Sequence, residues 1–405
     1  MKYIVILGDG MADEPVDELG GKTPLEVANK PAIDYLTAHG ELGMVKTVPE
    51  GIPPGSDAAN LSVMGYNPKV YYSGRSSLEA VNMGIQLADD DVTLRCNLVT
   101  LSDEAQYAEK TMIDYSSDEI SSEEAAELIQ TLQQHFDTND VHFHAGRSYR
   151  HVVVWNHGTT GNTLVPPHDI LEKKVSAYLP TGSAGAVLLD IMERSVEVLC
   201  NHPVNLRRKA SGLRPATSIW LWGEGKRPVI PDFKSKYGLN GSVISAVDLV
   251  QGIGRCAGLE VIDVAGATGN MQSNFKGKAQ AAIAQLLEKE NDFVYLHVEA
   301  PDECGHRHEI ANKVKSIEII DQQIVLPIKE ALDASGEAYS IMVLPDHPTP
   351  LRKRTHTSAP VPYTIYRNTE NGQQGTAAYT EKNGTLAGQY IAEGFLLMDR
   401  FIHGK

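Results

Sequence analysis

Aspartate and histidine residues gather at three points of the sequence, and each group follows a short apolar run. The residues concerned are Asp9 in GDG, Asp302 and His306 in PDECGH, Asp346 and His347 in PDHP, and His356 in THT. Asp302 and His306 stand four residues apart, so a helical turn would place both on one face. Carboxylates and imidazoles suit Mn, Zn and similar divalent ions. Asp9 alone would be interpreted as a turn residue, but the three groups together predict a metal site.

Ser56 is the candidate nucleophile, because it lies in a glycine- and proline-rich segment, GIPPGSDAAN, that precedes an apolar, helix-like stretch. A serine at the start of a helix lies beside free backbone N–H groups, which attract an anion such as a phosphoryl group. The alternative interpretation of this segment is an ordinary N-cap serine. A metal ion bound to the serine oxygen lowers its pKa, so Ser56 and the predicted metal site together indicate phosphoryl transfer.

Four apolar runs are predicted to form the strands that position these side chains. They are residues 3–7 (YIVIL), 218–222 (SIWLW), 293–298 (FVYLHV) and 339–344 (YSIMVL). Runs of this length without alternation are typical of strands buried on both faces of a parallel sheet. With helical patterns at residues 277–289 and 312–330, the sequence predicts an α/β fold with a doubly wound, mostly parallel sheet. Chemistry in such folds lies beyond the carboxyl ends of the strands.

The middle of the chain has a different pattern and is predicted to form a second, smaller α+β domain. Its short runs include residues 141–144 (VHFH) and 151–155 (HVVVW), and an acidic helix is predicted at residues 121–136, with a capping box at Ser121 and Glu124. We therefore expect an inserted domain at residues 91–214 and a discontinuous catalytic domain made of residues 1–90 and 215–405.

The composition limits the class of partner. Among 405 residues, 52 Asp and Glu outnumber 36 Lys and Arg, which gives a formal net charge of −16. Such a charge repels nucleic acid and anionic lipid, so neither is expected as a partner. A requirement for solubility would by itself also explain the negative charge. A phosphorylated metabolite would be repelled as well unless metal ions or arginines reverse the sign locally.

The sequence carries no signal for export or for a membrane. Its first apolar run has five residues, too few for a signal peptide, and no stretch approaches the roughly 18 apolar residues of a membrane span. The four cysteines form no CxxC pair, which argues against a disulfide framework. We expect a cytoplasmic protein, and no feature of the sequence indicates its oligomeric state.

Six segments of the sequence match one family. They are LGDGMAD, PPGSDAANLSVMGY, SGRSSLEAVNMGI, HVEAPDECGHRHE, VLPDHPTP and THTSAPVPY, which occur in family order at both ends of the chain. Through them the chain resembles the cofactor-independent phosphoglycerate mutases of the archaeal type, in the alkaline phosphatase superfamily. The resemblance implies an alkaline phosphatase-like fold, a small phosphorylated metabolite as substrate, and interconversion of 3-phosphoglycerate and 2-phosphoglycerate without 2,3-bisphosphoglycerate.

The same resemblance implies two divalent metal ions, for which Mn, Zn, Mg and Co are the candidates. Their implied ligands are Asp302, His306 and His356 for one ion, and Asp9, Asp346, His347 and the Ser56 hydroxyl for the other. Ser56 would carry the phosphoryl group as a phosphoserine and return it to the neighbouring hydroxyl of the retained glycerate.

The inserted domain is implied to hold the carboxylate and phosphate of the substrate through arginine side chains. The candidates are Arg147, Arg150, His151, His168, Arg207, Arg208 and Arg214, with Arg75 contacting phosphate from the catalytic domain. Taken singly, each is as readily a surface residue. The insertion is shorter than in the bacterial-type mutases. Lys276 and Lys278 are the candidate counterparts of the active-site lysine of those mutases. The alternative interpretation is that both lysines are solvated.

Three other functions stay open at this point. A homoserine kinase-like phosphotransferase would use the same scaffold, but the chain has no GxxxxGK[ST] loop. Residues 252–258 (GIGRCAG) follow a helix-like stretch at 243–251 and are interpreted as a helix end. A metal-dependent phosphatase would need an open site, and a sulfatase would need a CxPxR or SxPxR segment, which the sequence lacks. An inactive metal-binding scaffold is the last alternative, and it would be indifferent to replacement of Ser56.

Overall fold

The computed structural model describes residues 1–136, 140–370 and 378–404. Its strands, in chain order, are β1 Lys2–Gly8, β2 Glu41–Val45, β3 Val92–Leu101, β4 Met112–Asp114, β5 Val141–His144, β6 Arg150–Trp155, β7 Asn162–Thr163, β8 Thr181–Gly182, β9 Ser218–Lys226, β10 Gly241–Ile244, β11 Glu260–Val261, β12 Phe293–Val298, β13 Tyr339–Leu344, β14 Val361–Arg367 and β15 Tyr390–Ile391. Its helices are α1 Pro24–Val27, α2 Pro31–Ala38, α3 Ser56–Val63, α4 Pro68–Tyr71, α5 Arg75–Asn82, α6 Ser122–Phe136, α7 Gly185–Leu199, α8 Pro203–Ala210, α9 Phe233–Tyr237, α10 Asp248–Cys256, α11 Phe275–Leu287, α12 Ala300–His306, α13 Ile310–Ile320, α14 Leu326–Ser335, α15 Glu381–Leu386 and α16 Leu397–His403. The chain divides into two compact units, Met1–Tyr72 with Val229–Lys405, and Ser73–Pro228.

The first unit contains an eight-stranded sheet, counted over the residues that the structure describes, in the order β11-β10-β12-β1-β13-β14-β2-β15. Its neighbouring strands pair in parallel except for β14, which runs antiparallel to β13 and β2. The predicted α/β fold with a mostly parallel sheet is confirmed.

The strands β12, β1 and β13 lie side by side in this sheet and are buried along their whole length, as their unbroken apolar sequences predict. Ile4 and Ile6 of β1 and Val294 of β12 pack in one apolar cluster with Leu286 of α11 and Ile317 of α13. Full burial of one aliphatic side chain of this size stabilises the fold by roughly 1.5–3 kcal/mol. The residues that follow these strands are therefore held by a well-packed core.

The second unit contains an antiparallel sheet in which β3 is the central strand. β9 pairs with one edge of β3 and β6 with the other, β5 extends the sheet from β6, and β4 pairs with the end of β3. Leu128 and Leu132 of α6 and Leu188 and Met192 of α7 belong to the apolar core of this unit. The strands predicted at residues 141–144 and 151–155 and the acidic helix are confirmed as β5, β6 and α6.

The prediction for residues 218–222 is wrong. These residues were expected in the parallel sheet, but they lie in β9 and pair antiparallel with β3 of the second unit. An apolar run indicates that a strand is buried and carries no information on the direction of its partner. The second unit also begins at Ser73 and ends at Pro228, rather than at residues 91 and 214. Helix α5 accounts for the earlier start, because it packs against β3 and β9.

Two features of the helices bear on the alternatives. Residues 252–256 form the last part of α10, which confirms the interpretation of the GIGRCAG segment as a helix end, although the helix begins later than predicted because residues 241–244 form β10. Among the described residues, no helix combines the length and the apolar character that crossing a bilayer demands.

Candidate metal-binding active site

The carboxyl ends of β12, β1 and β13 meet at one edge of the sheet, and the predicted metal ligands follow them there. β1 pairs in parallel with both neighbours, with Leu7 opposite His297 on one side and Leu344 on the other. Asp9 and Asp346 each lie just beyond their strand. The register of the sheet therefore brings the two carboxylates together, as expected for the strand ends of a parallel sheet.

Asp9, His297 and Asp346 form one group of possible metal ligands, and all three are buried. One donor atom from each residue lies within 4.8 Å of the others. Asp9 Oδ2 lies 3.1 Å from His297 Nε2. Asp346 Oδ1 accepts hydrogen bonds from the backbone N–H of Gly10 at 3.2 Å and of His347 at 2.9 Å, which orient the carboxylate.

Asp302, His347 and His356 form a second group, again with one donor atom each within 4.8 Å of the others. His306 joins this group from α12, because its Nε2 lies 3.2 Å from Asp302 Oδ2 and 2.9 Å from His356 Nε2. The prediction that one helical turn presents Asp302 and His306 together is confirmed. Thr349 donates a short hydrogen bond to Asp302 Oδ1. The three ligands expected for one ion thus lie together.

Ser56 is the first residue of α3, and Gly55 occupies the N-cap position, so the alternative prediction of an N-cap serine is wrong. The Ser56 side chain is half-buried, and its Oγ lies 3.2 Å from His347 Nε2. His347 Nε2 in turn lies 3.5 Å from Asp346 Oδ2 and 3.7 Å from Asp9 Oδ1. The four residues expected to share the other ion are therefore also close together, with His347 between the two groups.

The charge balance of this site fits a bound cation. Asp9, Asp302 and Asp346 are buried, and no lysine or arginine in the described part of the chain forms an ion pair with them. Asp9 Oδ1 is buried and has no hydrogen-bond partner among the residues that the structure describes. Burial and the carboxylates of Asp346 and Asp302 raise the pKa of Asp9 well above its ordinary value. Carboxylates without a counter-charge, as Asp9 and Asp346 are here, are costly to bury, and a divalent ion held by oxygen and nitrogen ligands removes that cost.

The imidazoles of the site have different protonation preferences. Burial lowers the pKa of His297 to about 3 and also lowers the pKa of His347, so both favour the neutral form that binds a metal ion. The hydrogen bond to Asp302 raises the pKa of His306 to about 9. Burial alone would raise the pKa of Asp302, but its hydrogen bonds with His306 and His356 hold it well below the usual range. A metal ion would take the place of the proton shared between them.

Two residues at this site differ from the sequence-based expectation. His297 is absent from the predicted ligands, because it lies inside β12 rather than after it, and its one signal is an imidazole in an apolar strand. Lys278 is not solvated, since its buried Nζ donates to the backbone oxygen of His297 at 2.9 Å and burial lowers its pKa to about 8. Lys276 is exposed.

Four residues predicted to bind substrate have other partners within the second unit. Arg207 pairs with Glu127, the buried Arg208 with Glu124, Arg214 with Asp114 and Asp118, and the buried His151 accepts a hydrogen bond from the backbone N–H of Gly146. Each of these three arginines is balanced by at least one carboxylate of its own, unlike Arg75 and Arg95, which share Glu79, and His151 is a buried imidazole. We therefore leave these four residues out of the proposed substrate site.

Arg75 and His168, also predicted to bind substrate, belong to a cationic cluster with aromatic neighbours. Glu79 bridges two arginines, with Oε1 3.2 Å from Arg75 Nε and Oε2 2.9 Å from Arg95 Nε. The Arg95 guanidinium lies 4.3 Å from the centre of the Trp222 ring, and the His168 ring lies 5.4 Å from it. Arg95 is missing from the sequence prediction, because a buried arginine inside a strand forms no recognisable motif.

Arg150 adds to this positive charge, and its guanidinium lies 5.0 Å from the centre of the Tyr149 ring. Burial is the main reason that the pKa of Arg95 falls to about 10; Glu79 opposes the change, while the charges of Arg75 and Arg150 add to it. We call Arg75, Arg95, Arg150 and the adjoining ring of His168, which burial favours in its neutral form by lowering its pKa, the cationic cluster. Arg75, Arg95 and Arg150 bring three guanidinium groups close together, and such a concentration of positive charge favours an anion. Arg147, the remaining predicted residue, is exposed.

Known proteins are similar in sequence to this chain over nearly its whole length. The family model of the 2,3-bisphosphoglycerate-independent phosphoglycerate mutases matches residues 37–205. A probable mutase of this type from Geobacter sulfurreducens is 49% identical over 402 residues, which cover 99% of this chain and 100% of that protein. A mutase of this type from Methanosarcina barkeri is 49% identical over 390 residues, which cover 95% of this chain and 96% of that protein.

Solved structures are similar as well. The PH0037 protein from Pyrococcus horikoshii is 28% identical, with a TM-score of 0.80 and coverage of 99% of this chain and 96% of that one. The cofactor-independent phosphoglycerate mutase from Thermoplasma acidophilum is 25% identical, with a TM-score of 0.66 and coverage of 99% of both chains. Given this fold and nearly half-identical relatives of equal length, the chain belongs to the 2,3-bisphosphoglycerate-independent phosphoglycerate mutase family.

Proposed function

We propose that this protein interconverts 3-phosphoglycerate and 2-phosphoglycerate without 2,3-bisphosphoglycerate, through a phosphoserine formed on Ser56. One observation carries the proposal. The Ser56 hydroxyl, at the start of α3, lies 3.2 Å from His347 Nε2, and that nitrogen lies beside the buried carboxylates of Asp9 and Asp346. A hydroxyl placed among uncompensated carboxylates and neutral imidazoles suits a nucleophile that a metal ion activates.

The two ligand groups would hold two divalent ions. We assign Asp302, His306 and His356 to one ion, and Asp9, Asp346, His347 and Ser56 to the other. When bound, such ions neutralise negative charge on phosphoryl oxygens and lower the pKa of a serine hydroxyl. His297 would support Asp9, whose Oδ2 lies 3.1 Å from its ring.

The reaction balances over two transfers on one serine. In the first, Ser56 Oγ attacks the phosphorus of 3-phosphoglycerate, and the bond from phosphorus to O3 of glycerate breaks. In the second, the O2 hydroxyl of the retained glycerate attacks the phosphoserine, and Ser56 Oγ leaves. In the first transfer Ser56 Oγ loses a proton and O3 gains one as it leaves; in the second the O2 hydroxyl loses its proton and Ser56 Oγ gains one as it leaves. Free backbone N–H groups at the start of α3 favour the anionic phosphoryl group on Ser56.

The cationic cluster of the second unit is our candidate for binding the carboxylate of the substrate. A planar guanidinium binds a carboxylate through two parallel hydrogen bonds. The ring of Trp222 beside Arg95 and that of Tyr149 beside Arg150 restrict the orientation of the guanidiniums. Retention of glycerate between the two transfers distinguishes a mutase from a phosphatase. Arg150→Gln should therefore increase the fraction of phosphoryl groups lost to water.

The test measures 2-phosphoglycerate and inorganic phosphate formed from 3-phosphoglycerate, by protein loaded with Mn²⁺ or Co²⁺ and without bisphosphoglycerate. We expect turnover with little release of phosphate, and its loss on chelation. Ser56→Ala should lower kcat by about 10⁴-fold or more, as removal of a nucleophile does in other enzymes. Ser62→Ala is the matched control, because Ser62 lies on the same helix and its buried hydroxyl has no partner in the described part of the chain.

The other outcomes identify the alternatives. Release of phosphate without 2-phosphoglycerate would indicate a phosphatase, and phosphorylation of homoserine by ATP would indicate the kinase-like activity. A folded, metal-loaded protein with none of these activities would overturn the proposal and leave the inactive scaffold.

A further inference from the structure

Asn60 and Tyr295 form a buried hydrogen-bonded chain that ends on a proposed metal ligand. Asn60 lies on α3, one turn after Ser56, and Tyr295 lies on β12; both side chains are fully buried. The Tyr295 hydroxyl donates to Asn60 Oδ1 at 2.6 Å. Asn60 Nδ2 donates to Asp346 Oδ2 at 3.0 Å and to the backbone oxygen of Ser56 at 2.8 Å.

These partners determine which way the Asn60 amide faces. The carboxylate of Asp346 and the carbonyl of Ser56 only accept hydrogen bonds, so the NH₂ group must face them. The amide oxygen then faces Tyr295 and accepts a hydrogen bond from its hydroxyl. Rotation of the amide by half a turn would place its oxygen against two other acceptors, whereas in the observed orientation the Tyr295 hydroxyl satisfies the amide oxygen and restrains the side chain.

Asn60 also differs in position from the other groups that hold Asp346. Asp346 Oδ1 accepts from the backbone N–H of Gly10 and His347, which lie next to metal ligands in their own loops. Asn60 lies on the helix that begins with the nucleophile. Its amide therefore connects the orientation of the Asp346 carboxylate to the position of Ser56.

We propose that Asn60 is a positioning residue for both the metal ligand Asp346 and the nucleophile Ser56, and that Tyr295 fixes the orientation of Asn60. The inference rests on the proposed function, because it assigns Asp346 and Ser56 the roles given there. A carboxylate held in its binding orientation loses less freedom when it binds an ion. Partners of metal ligands commonly change metal affinity by about 10- to 100-fold when they are replaced.

Three variants separate positioning from stability. Asn60→Leu removes the whole amide, whereas Tyr295→Phe removes one hydroxyl and keeps the ring. Tyr363→Phe is the matched control, because Tyr363 is fully buried in β14 of the same sheet and donates a hydrogen bond of 2.6 Å to Glu41. For each variant the dissociation constant for Mn²⁺ is measured by calorimetry, and the melting temperature is measured without metal.

We expect Asn60→Leu to weaken Mn²⁺ binding by about 10- to 100-fold and Tyr295→Phe by about 3- to 10-fold, the range for one lost hydrogen bond. Tyr363→Phe should leave Mn²⁺ binding within about twofold of the wild type, although its melting temperature falls as much as that of Tyr295→Phe. At saturating Mn²⁺, kcat of Asn60→Leu should fall about tenfold with KM nearly unchanged, because the variant keeps the groups proposed to bind substrate.

The results distinguish this inference from the proposed function. Equal Mn²⁺ affinity in Tyr295→Phe, Tyr363→Phe and the wild type would overturn the positioning role even in an active mutase. Weaker binding in Tyr295→Phe alone would support it, including in a protein that converts no 3-phosphoglycerate, and in that case only the proposed function fails. Tyr295→Phe decides the question even if Asn60→Leu does not fold.

Discussion

Asp9 and Asp13 lie four residues apart after β1, and both are buried, but the protein compensates only one of the two carboxylates. Asp13 Oδ2 lies 2.7 Å from Nζ of Lys313, and its oxygens also accept from the backbone N–H of Leu351 and Glu14. Within the described residues, Asp9 pairs with no lysine or arginine, and its Oδ1 has no hydrogen-bond partner. The difference separates Asp13, whose carboxylate stabilises the fold, from Asp9, whose carboxylate we propose binds a metal ion.

The ion pair of Asp13 with Lys313, which we call the compensated pair, also holds the loops on which Asp9 is placed. Lys313 is fully buried, and its Nζ donates to the backbone oxygen of Thr349 at 2.8 Å as well as to Asp13. The pair thereby fastens the loop after β1 to the loop after β13, which carries Asp346 and His347. Asp13 and Lys313 hold these loops without any contribution from Asp9. A divalent ion can therefore supply the positive charge that Asp9 lacks.

The largest effect is expected when Asp9 itself is neutralised. Asp9→Asn should lower kcat/KM by at least about 10³-fold, because the variant loses a charged ligand of the proposed metal site. The metal-free variant should nevertheless be more stable than the metal-free wild type by about 1–3 kcal/mol, since an uncompensated buried charge is gone. Activity assays and urea unfolding in the presence of a chelator measure the two effects.

Asp13→Asn provides the contrast for this prediction. It leaves Lys313 buried without its carboxylate, so the metal-free protein should become less stable rather than more stable. If Asp9→Asn and Asp13→Asn changed the unfolding free energy in the same direction, the distinction between the two carboxylates would be wrong.

The next effect concerns the cation of the compensated pair. Lys313→Met leaves Asp13 as a buried charge without a partner and should lower the free energy of unfolding by about 3–5 kcal/mol. Lys315→Met is the control, because Lys315 lies on the same helix but is exposed, and its ion pair with Glu318 should contribute less than about 1 kcal/mol. Urea unfolding of the metal-free proteins compares them, and equal losses would show that burial of the pair is unimportant.

A smaller effect is expected when both charges are removed together. The double variant Asp13→Asn with Lys313→Met should be more stable than Lys313→Met alone by about 1–3 kcal/mol, because no charge stays buried without a partner. A double variant that loses the sum of the two single effects would mean that the residues do not interact. Unfolding of the four proteins in one denaturant series completes the cycle.

The sequence predicted the parts of this site that follow strands and failed for the parts inside them. Asp9, Asp302 and Asp346 could be predicted because the carboxyl ends of neighbouring parallel strands meet at one edge of the sheet. His297 lies within β12 and is opposite Leu7, so its proximity to Asp9 depends on the strand order, which no local pattern encodes.

The same limit applies to the second unit and to the partners of the site. Arg95 approaches Arg75 through their shared contact with Glu79, and this contact depends on α5 packing against β3. Asn60 contacts Asp346 across 286 residues of chain. Such contacts arise from tertiary packing alone. The antiparallel pairing of residues 218–222 was missed for the same reason, because burial of a strand does not specify its neighbour.

The smallest effect concerns His151, a buried side chain that is neutral in the folded protein and has no counter-charge among the described residues. His151 is buried in the second unit, its Nδ1 accepts from Gly146, and its Nε2 has no partner among the described residues. Burial lowers the pKa of His151 to about 3, whereas the pKa of an unfolded histidine is about 6.5. Between these two pKa values the unfolded chain binds a proton and the folded protein does not. The free energy of unfolding therefore decreases as the pH falls from about 6.5 towards 3.

His151→Gln isolates this contribution, because glutamine does not titrate and its oxygen can accept from Gly146. Between pH 7.5 and pH 5.5 the wild type should lose about 1.4 kcal/mol more stability than the variant. Thermal melting of both proteins at the two pH values measures the difference. If His151→Gln and the wild type lost stability equally, the imidazole would be protonated in the folded protein. It would then need a counter-charge, as Asp9 does.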